Sequence, residues 1–229
     1  MMLFYSRDFN GDVVTLSDEE HQHCTKVLRK KVGETIFVTD GLGYIYTVKI
    51  LDSTKATTIG KILSSSYKDS LHPRIAIAIS PTKNVSRIEW FVEKATEIGI
   101  SAIYLLHTRR TEKKSENTAR MDKILISAMK QSLNVHLPTL QHITFDEFLK
   151  TMADEFEQKF IAYCNGPTEL LSSVCKKSQS SLLLIGPEGD FTAEEVQQAI
   201  KSGCKEVSLG DSRLRTETAG IVGLMMLKY

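Results

Sequence analysis

Hydrophobic and polar positions follow two different patterns along the chain. In the first third, short apolar runs are separated by tight turns. Glu34–Thr39, Tyr44–Leu51 and Ala56–Leu63 read as strands, rich in β-branched and aromatic residues. Asp40-Gly41-Leu42-Gly43 joins the first two as a hairpin signal. Ahead of them, Ser17-Asp18-Glu19-Glu20 has the capping-box pattern of a serine followed three residues later by glutamate. It opens a short helix to about Leu28, which Lys31-Val32-Gly33 stops. Several short strands and tight turns predict a small β-barrel. The polar stretch Ser64–Ser70 lacks periodicity and reads as a linker.

After His72-Pro73 the period changes. Ile75–Ile79 is a continuous apolar run, as expected of a strand covered on both faces. Ile88, Phe91, Val92, Ala95 and Ile98 then recur at helical spacing. Ser86 and Glu89 are placed to cap that helix, and Gly99 to end it. Strand Ile100–Leu106 comes next, then a basic loop, then a helix with Met121, Ile124, Leu125, Ala128 and Met129 on one stripe. Strands near Phe160–Cys164, Leu182–Ile185 and Glu206–Leu209 follow, each with a helical stretch after it. Strand–helix alternation with buried strands predicts an α/β domain on a parallel sheet. The last helix, Ala219–Leu227, is apolar nearly all round. That predicts burial on all sides, part of it supplied by a second subunit, and hence a homodimer.

Charge adds little by itself. Lys and Arg total 29 against 28 Asp and Glu, whereas a nucleic-acid binder usually carries a basic face. RNA contact therefore falls to local patches. Arg29-Lys30-Lys31 follows the first helix, and Arg109-Arg110 with Lys113-Lys114 follows the second α/β strand. Runs of this length are commonly just solvated; their placement is what suggests phosphate contact. The four cysteines, Cys24, Cys164, Cys175 and Cys204, match no zinc or redox spacing, so reduced thiols are expected. His21 and His23, two apart, do not share a helix face and read as solvated side chains; no metal site is expected. With no signal-peptide pattern and no apolar run of membrane-spanning length, a cytoplasmic protein is expected.

Two strand ends carry the candidate chemistry, since ligands of open parallel sheets bind beyond the carboxyl ends of strands. Leu182-Leu183-Leu184-Ile185 runs into Gly186-Pro187-Glu188-Gly189-Asp190-Phe191, and Thr192-Ala193-Glu194-Glu195 caps a new helix. Val207-Ser208-Leu209 runs into Gly210-Asp211-Ser212-Arg213-Leu214-Arg215-Thr216-Glu217, at the entry to the last helix. Either loop alone could be an ordinary strand-to-helix turn. Signatures of dinucleotide binding, P-loop hydrolysis and the serine-hydrolase elbow are missing.

Together, Ile185–Phe191 and the pair Leu209-Gly210 with Leu214-Arg215-Thr216-Glu217-Thr218-Ala219 resemble the signature motifs of the ribosomal RNA small subunit methyltransferase E family. The likeness runs along the whole chain. It includes Arg7-Asp8-Phe9, the stretch from His23 to Val27-Leu28-Arg29, Asp40-Gly41, and Lys83 with Glu93-Lys94-Ala95-Thr96-Glu97-Ile98-Gly99. The resemblance implies a PUA-like RNA-binding β-barrel over residues 1–70 and a SPOUT-type trefoil-knotted parallel-sheet domain over 73–229. It implies S-adenosylmethionine as cofactor, with Gly186, Pro187, Glu188 and Gly189 on one side and Leu209, Gly210, Leu214 and Arg215 on the other. It also implies a homodimer that methylates N3 of a uridine in 16S ribosomal RNA, either free or within the assembled small subunit. Two places depart from the family pattern. Gly189-Asp190 stands where Gly-Gly is frequent, and Gln131-Ser132-Leu133-Asn134 stands where Gln-x-Gly-Arg is frequent.

For such a reaction Glu217 is the candidate base for the N3 proton, and Arg215 the candidate to stabilise charge on the uracil oxygens. Glu217 also reads as an acid of the first helical turn, favoured by the helix dipole. The competing readings are a SPOUT enzyme with another RNA target and a non-catalytic RNA-binding protein. The paired loops favour the enzyme.

Overall fold

The structure, a computed structural model, describes residues 2–70, 73–112, 117–151, 155–163 and 169–229. Lys113, Lys114 and Cys164 lie outside the described residues. The chain forms two compact units, Met1–Ser70 with Ile126–Leu137, and Leu71–Leu125 with Pro138–Tyr229.

The first unit is a curled six-stranded sheet of β1 (Leu3–Tyr5), β2 (Phe9–Asn10), β3 (Val13–Leu16), β4 (Thr35–Thr39), β5 (Tyr44–Ser53) and β6 (Thr58–Tyr67), in the order β1-β4-β5-β6-β3-β2. Phe4, Val14, Leu16, Ile36, Val38, Val48 and Ile50 alternate inward and pack with Cys24. Register shifts at Thr47/Val48 and Ile50/Asp52 break the β5–β6 ladder, and such irregularities increase local bend and twist. The Asp40–Gly43 hairpin forms as expected, with Asp40 Oδ1 accepting the Leu42 amide at 2.7 Å.

Three sequence expectations need correction here. Ser64–Tyr67 is not linker but the end of β6, paired with Tyr44–Thr47; a serine run carries no apolar alternation to announce it. Helix α1 (Asp18–Gln22) continues as a π-helix over His23–Val27, close to the expected length, but the capping box does not form. The Ser17 side chain caps no amide, and the Glu20 carboxylate accepts the Tyr5 amide at 3.1 Å and pairs with Lys130 instead. His21 is buried rather than solvated, with Nδ1 2.9 Å from the Thr58 hydroxyl.

The second unit is a parallel six-stranded sheet of β7 (Ile75–Ile79), β8 (Ala102–His107), β9 (Thr139–Thr144), β10 (Gln158–Ala162), β11 (Ser181–Ile185) and β12 (Lys205–Val207), in the order β12-β10-β11-β7-β8-β9. Every residue of β7 and β11 is buried, as continuous apolar runs in a central parallel strand require. The helices α2 (Val85–Ile98), α3 (Thr118–Gln131), α4 (Phe145–Thr151), α5 (Leu171–Val174) and α6 (Ala193–Lys201) connect these strands, and α7 (Thr216–Lys228) follows the last of them. Helix α2 buries Ile88, Phe91, Val92 and Ala95 and ends at Gly99 with φ 95°. Its cap is Asn84, whose side chain accepts the Ser86 amide at 3.0 Å, while Glu89 pairs with Arg120. A parallel α/β sheet preceded by a separate curled sheet is the SPOUT-type and PUA-like architecture that the resemblance implies.

Within the chain, α7 is covered on one side only. Gly220, Gly223, Leu224 and Leu227 are buried, Ile221 and Val222 are half-buried, and Met225 and Tyr229 are exposed. Among the described residues no helix is long and apolar enough to cross a membrane.

Candidate active site

The first loop leaves β11 at Ile185 and enters α6 through a complete capping box. Thr192 Oγ1 accepts the Glu195 amide at 3.2 Å, and Glu195 Oε2 accepts the Thr192 amide at 2.8 Å. Between them, the Asp190 amide donates to the Pro187 carbonyl at 2.9 Å. Asp190 sits at φ 60°, in the left-handed region that aspartate tolerates better than most residues. Its Oδ1 accepts the Phe191 amide at 2.8 Å. Asp190 thus holds a turn whose backbone would otherwise favour glycine. A Cβ at Gly186 would lie 3.1 Å from Asp190 Oδ1, from the Phe191 ring and from the Phe191 amide. The missing side chain there lets the loop close on itself.

Neighbouring elements tie this loop down. Glu195 Oε1 accepts the Arg109 amide at 2.9 Å, Arg110 Nη1 donates to the Gly189 carbonyl at 2.6 Å, and Glu188 Oε1 accepts the Lys83 amide at 3.3 Å. Arg109 also faces Glu194 at 3.8 Å. Arg109 by its backbone amide and Arg110 by its guanidinium thus help to hold the first loop.

The second loop leaves β12 at Val207. Ser208 Oγ accepts the Gly210 amide at 3.1 Å, and Gly210 adopts φ 121° with no atom of the described residues within 4 Å of where a Cβ would stand. Arg215 occupies the N-cap of α7, its side chain exposed, and Glu217 lies buried in the first turn.

These loops enclose a cleft of about 970 Å³ at the carboxyl ends of β11 and β12. It brings together Gly186, Pro187 and Glu188 from the first loop with Leu209, Gly210, Leu214, Arg215 and Glu217 from the second. Gly189 stands outside the lining and turns its carbonyl to Arg110. Arg29, Lys30 and Lys31 lie in the first unit. Arg29 and Lys31 are exposed, and Lys30 pairs with Glu34 at 3.0 Å. The Lys31 amide and the Lys30 ammonium hold the Glu34 carboxyl below its ordinary value.

Sequence reading missed Arg87 and Tyr163, which also line the cleft. Arg87 Nε stands 3.7 Å from Glu217 Oε1. Glu217 Oε2 is buried and has no hydrogen-bond partner among the described residues. The only trace of Arg87 in the sequence is a lone cation in the first turn of α2, near Lys83, and Lys83 itself turns to Glu112 at 2.7 Å.

With this geometry established, comparison with known proteins is specific. Residues 70–228 match the model of an RNA methyltransferase domain, and residues 16–63 match an RNA methyltransferase PUA domain. The chain is 30% identical to Ribosomal RNA small subunit methyltransferase E of Synechocystis sp. over 93% of this chain and 72% of that protein. A probable rRNA-methyltransferase of Porphyromonas gingivalis superposes with a TM-score of 0.91 at 34% identity, covering 100% of this chain and 98% of that one. A ribosomal RNA small subunit methyltransferase E of Neisseria gonorrhoeae, solved bound to S-adenosyl methionine, superposes with a TM-score of 0.87 at 29% identity, covering 100% and 97%. Two matched domains in the expected order, together with the paired cleft loops, place this chain in the ribosomal RNA small subunit methyltransferase E family.

Proposed function

We propose that the chain transfers the methyl group of S-adenosylmethionine to N3 of a uridine in 16S ribosomal RNA of the small subunit. The observation that carries this reading is the single cleft that the two glycine-bearing loops build, with Arg215 and Glu217 both lining it. Its volume suits a small-molecule ligand. The residues fit S-adenosylmethionine. Backbone at Gly186 and Gly210 would give polar contacts, and Pro187, Leu209 and Leu214 apolar ones. Gly186, Pro187 and Glu188 would hold one side of the ligand, and Leu209, Gly210, Leu214 and Arg215 the other.

When bound, S-adenosylmethionine supplies an electrophilic methyl group on its sulfonium sulfur. The chain supplies alignment, which is worth several kcal/mol when two reactants are held in register, and proton transfer. Glu217 accepts the N3 proton of an unpaired or flipped-out uridine. Arg215 stabilises the negative charge spreading onto the uracil oxygens. The burial of Glu217 supports this role over that of a helix-dipole acid, since an unpaired buried carboxylate oxygen is costly in a purely structural position.

The division of labour assigned here is RNA docking by residues 1–70, with Arg29, Lys30 and Lys31 on phosphates, and methyl transfer by residues 73–229. The uncovered side of α7, with Ile221, Val222, Met225 and Tyr229, supports a homodimer formed through that helix. Calorimetry with S-adenosylmethionine, followed by transfer of its labelled methyl group to small-subunit RNA, tests the reading. Absence of binding sinks the enzyme, and binding with transfer only to another RNA sinks the substrate.

A further inference from the structure

The first unit displays a cluster of exposed rings at one end of its sheet, beside Tyr46, which packs against the core. Leu42 is 71% exposed, Tyr44 40% and Tyr67 53%. Tyr44 and Tyr67 are direct cross-strand partners on β5 and β6, with ring centroids 4.9 Å apart. Tyr46 stacks on Tyr44 at 5.8 Å with 24° between planes, and His136 sets its ring edge to face with Tyr67 at 6.2 Å. Scattered exposed apolar side chains need no explanation. A contiguous, ordered group of rings is different.

The group is built rigidly. Gly43 has φ 109°, and a Cβ there would fall 2.4 Å from the Tyr67 ring and 2.7 Å from the His136 ring, so both rings lie on bare backbone. The Gly43 amide donates to the Val135 carbonyl at 2.9 Å, and the Lys68 amide to the Gly43 carbonyl at 2.9 Å. His136 Nε2 is 2.7 Å from the Lys68 carbonyl.

Two exposed cations flank it, Lys68 and Arg7, each next in sequence to an exposed carboxylate, Asp69 and Asp8. Asp40 is turned inward, accepting the Leu42 and Tyr44 amides and the Tyr46 hydroxyl; burial and this carboxylate push the Tyr46 phenol up to about 12. Lys68 is exposed beside Tyr67. On the same turn, the Tyr5 ring lies 3.1 Å from the Gly41 Cβ position and carries the exposed Arg7 guanidinium 5.9 Å from its centroid.

We propose that this hairpin end is a stacking platform for unpaired RNA bases. Aromatic faces accept any base, and flanking cations meet the phosphates between them. The inference rests on RNA being the substrate, as proposed above. It adds which surface grips the RNA and that the gripped segment is single-stranded.

The test uses the full chain, a fluorescein-labelled single-stranded RNA oligonucleotide of mixed sequence and the same sequence as a duplex. Tyr44→Ala and Tyr67→Ala should each weaken single-strand binding by about fivefold to a hundredfold, the range for loss of one base–aromatic stack. Tyr44→Phe and Tyr67→Phe should bind like the parent. The slope of log affinity against log salt should stay unchanged in the alanine variants, since stacking releases no counterions. Replacing Arg29, Lys30 and Lys31 together with alanine should flatten it. Alanine variants with parental circular dichroism that bind the single strand as tightly as the parent overturn the platform while leaving the substrate reading intact. Alanine variants that change the sedimentation coefficient instead assign the patch to a second copy of the chain and also overturn it. A parent chain that binds neither oligonucleotide overturns both readings.

Discussion

Arg87 Nε faces Glu217 Oε1 across 3.7 Å, joining the first turn of α2 to the first turn of α7 inside the cleft. The pair leaves Glu217 Oε2 buried without a hydrogen-bond partner among the described residues. One carboxylate oxygen is therefore anchored while the other awaits a donor.

From this pair, Glu217→Gln should lower the single-turnover methyl-transfer rate by about 10²- to 10⁴-fold, the usual contribution of a positioned general base. Affinity for S-adenosylmethionine should change little. Arg87→Ala removes the partner of a buried charge and should lower both stability and rate. Arg87→Lys should recover part of the loss. A Glu217→Gln variant with parental turnover would return Glu217 to the role of a helix-dipole acid.

Gly186→Val should abolish S-adenosylmethionine binding through the loop itself. Its side chain meets the Phe191 amide and the Asp190 carboxylate, so the turn into α6 must open. Gly210→Val acts differently, through a backbone at φ 121° that side chains disfavour, in open space. Calorimetry on variants with intact circular dichroism checks both. Undiminished affinity in the two would remove the cleft from the cofactor site.

Dimerisation is best probed on the uncovered side of α7. Leu224 is fully buried within the chain, so Leu224→Glu should unfold the protein, because a carboxylate without a partner is costly to bury. Met225 is 42% exposed, and Met225→Glu should shift sedimentation from dimer to monomer with the fold retained. A parent chain that sediments as a monomer at micromolar concentration contradicts the dimer.

Leu133 carries a stability prediction. Helix α3 ends in a Schellman-type turn, with the Asn134 amide bonded to the Met129 carbonyl at 3.0 Å and the Leu133 amide to the Lys130 carbonyl at 3.2 Å. Leu133 takes φ 57° there, a conformation that favours glycine. Relief of left-handed strain is worth about 1–2 kcal/mol per residue, partly offset by the greater freedom of glycine in the unfolded chain. Leu133→Gly should therefore raise Tm by a few degrees in a thermal melt. A lowered Tm would contradict the strain.

What the sequence reveals follows the range of the forces involved. The buried strands β7 and β11 are legible because runs of five and four consecutive apolar residues have few other uses, and Thr192 with Glu195 because a capping box is local. The last turns of β6 are illegible because Ser64, Ser65 and Ser66 owe their pairing to Tyr46 and its neighbours across the sheet. Glu20 fails as a capping residue because distant Tyr5 and Lys130 compete for its carboxylate. Both cleft loops could be recognised as a pair, but Arg87 could not, because its partner Glu217 belongs to an element far along the chain. Likewise, nothing local marks Ile126–Leu137 as part of the first unit.

The central claim is methyl transfer to N3 of a uridine in small-subunit ribosomal RNA. Its most direct test incubates the purified chain and labelled S-adenosylmethionine with 16S RNA and with assembled small subunits, then maps the label by nuclease digestion and mass spectrometry of the nucleosides. One labelled nucleoside, 3-methyluridine, is expected at a single position, lost in Glu217→Gln. Label on a ribose 2′-hydroxyl, on another base, or on no RNA of the small subunit would contradict it.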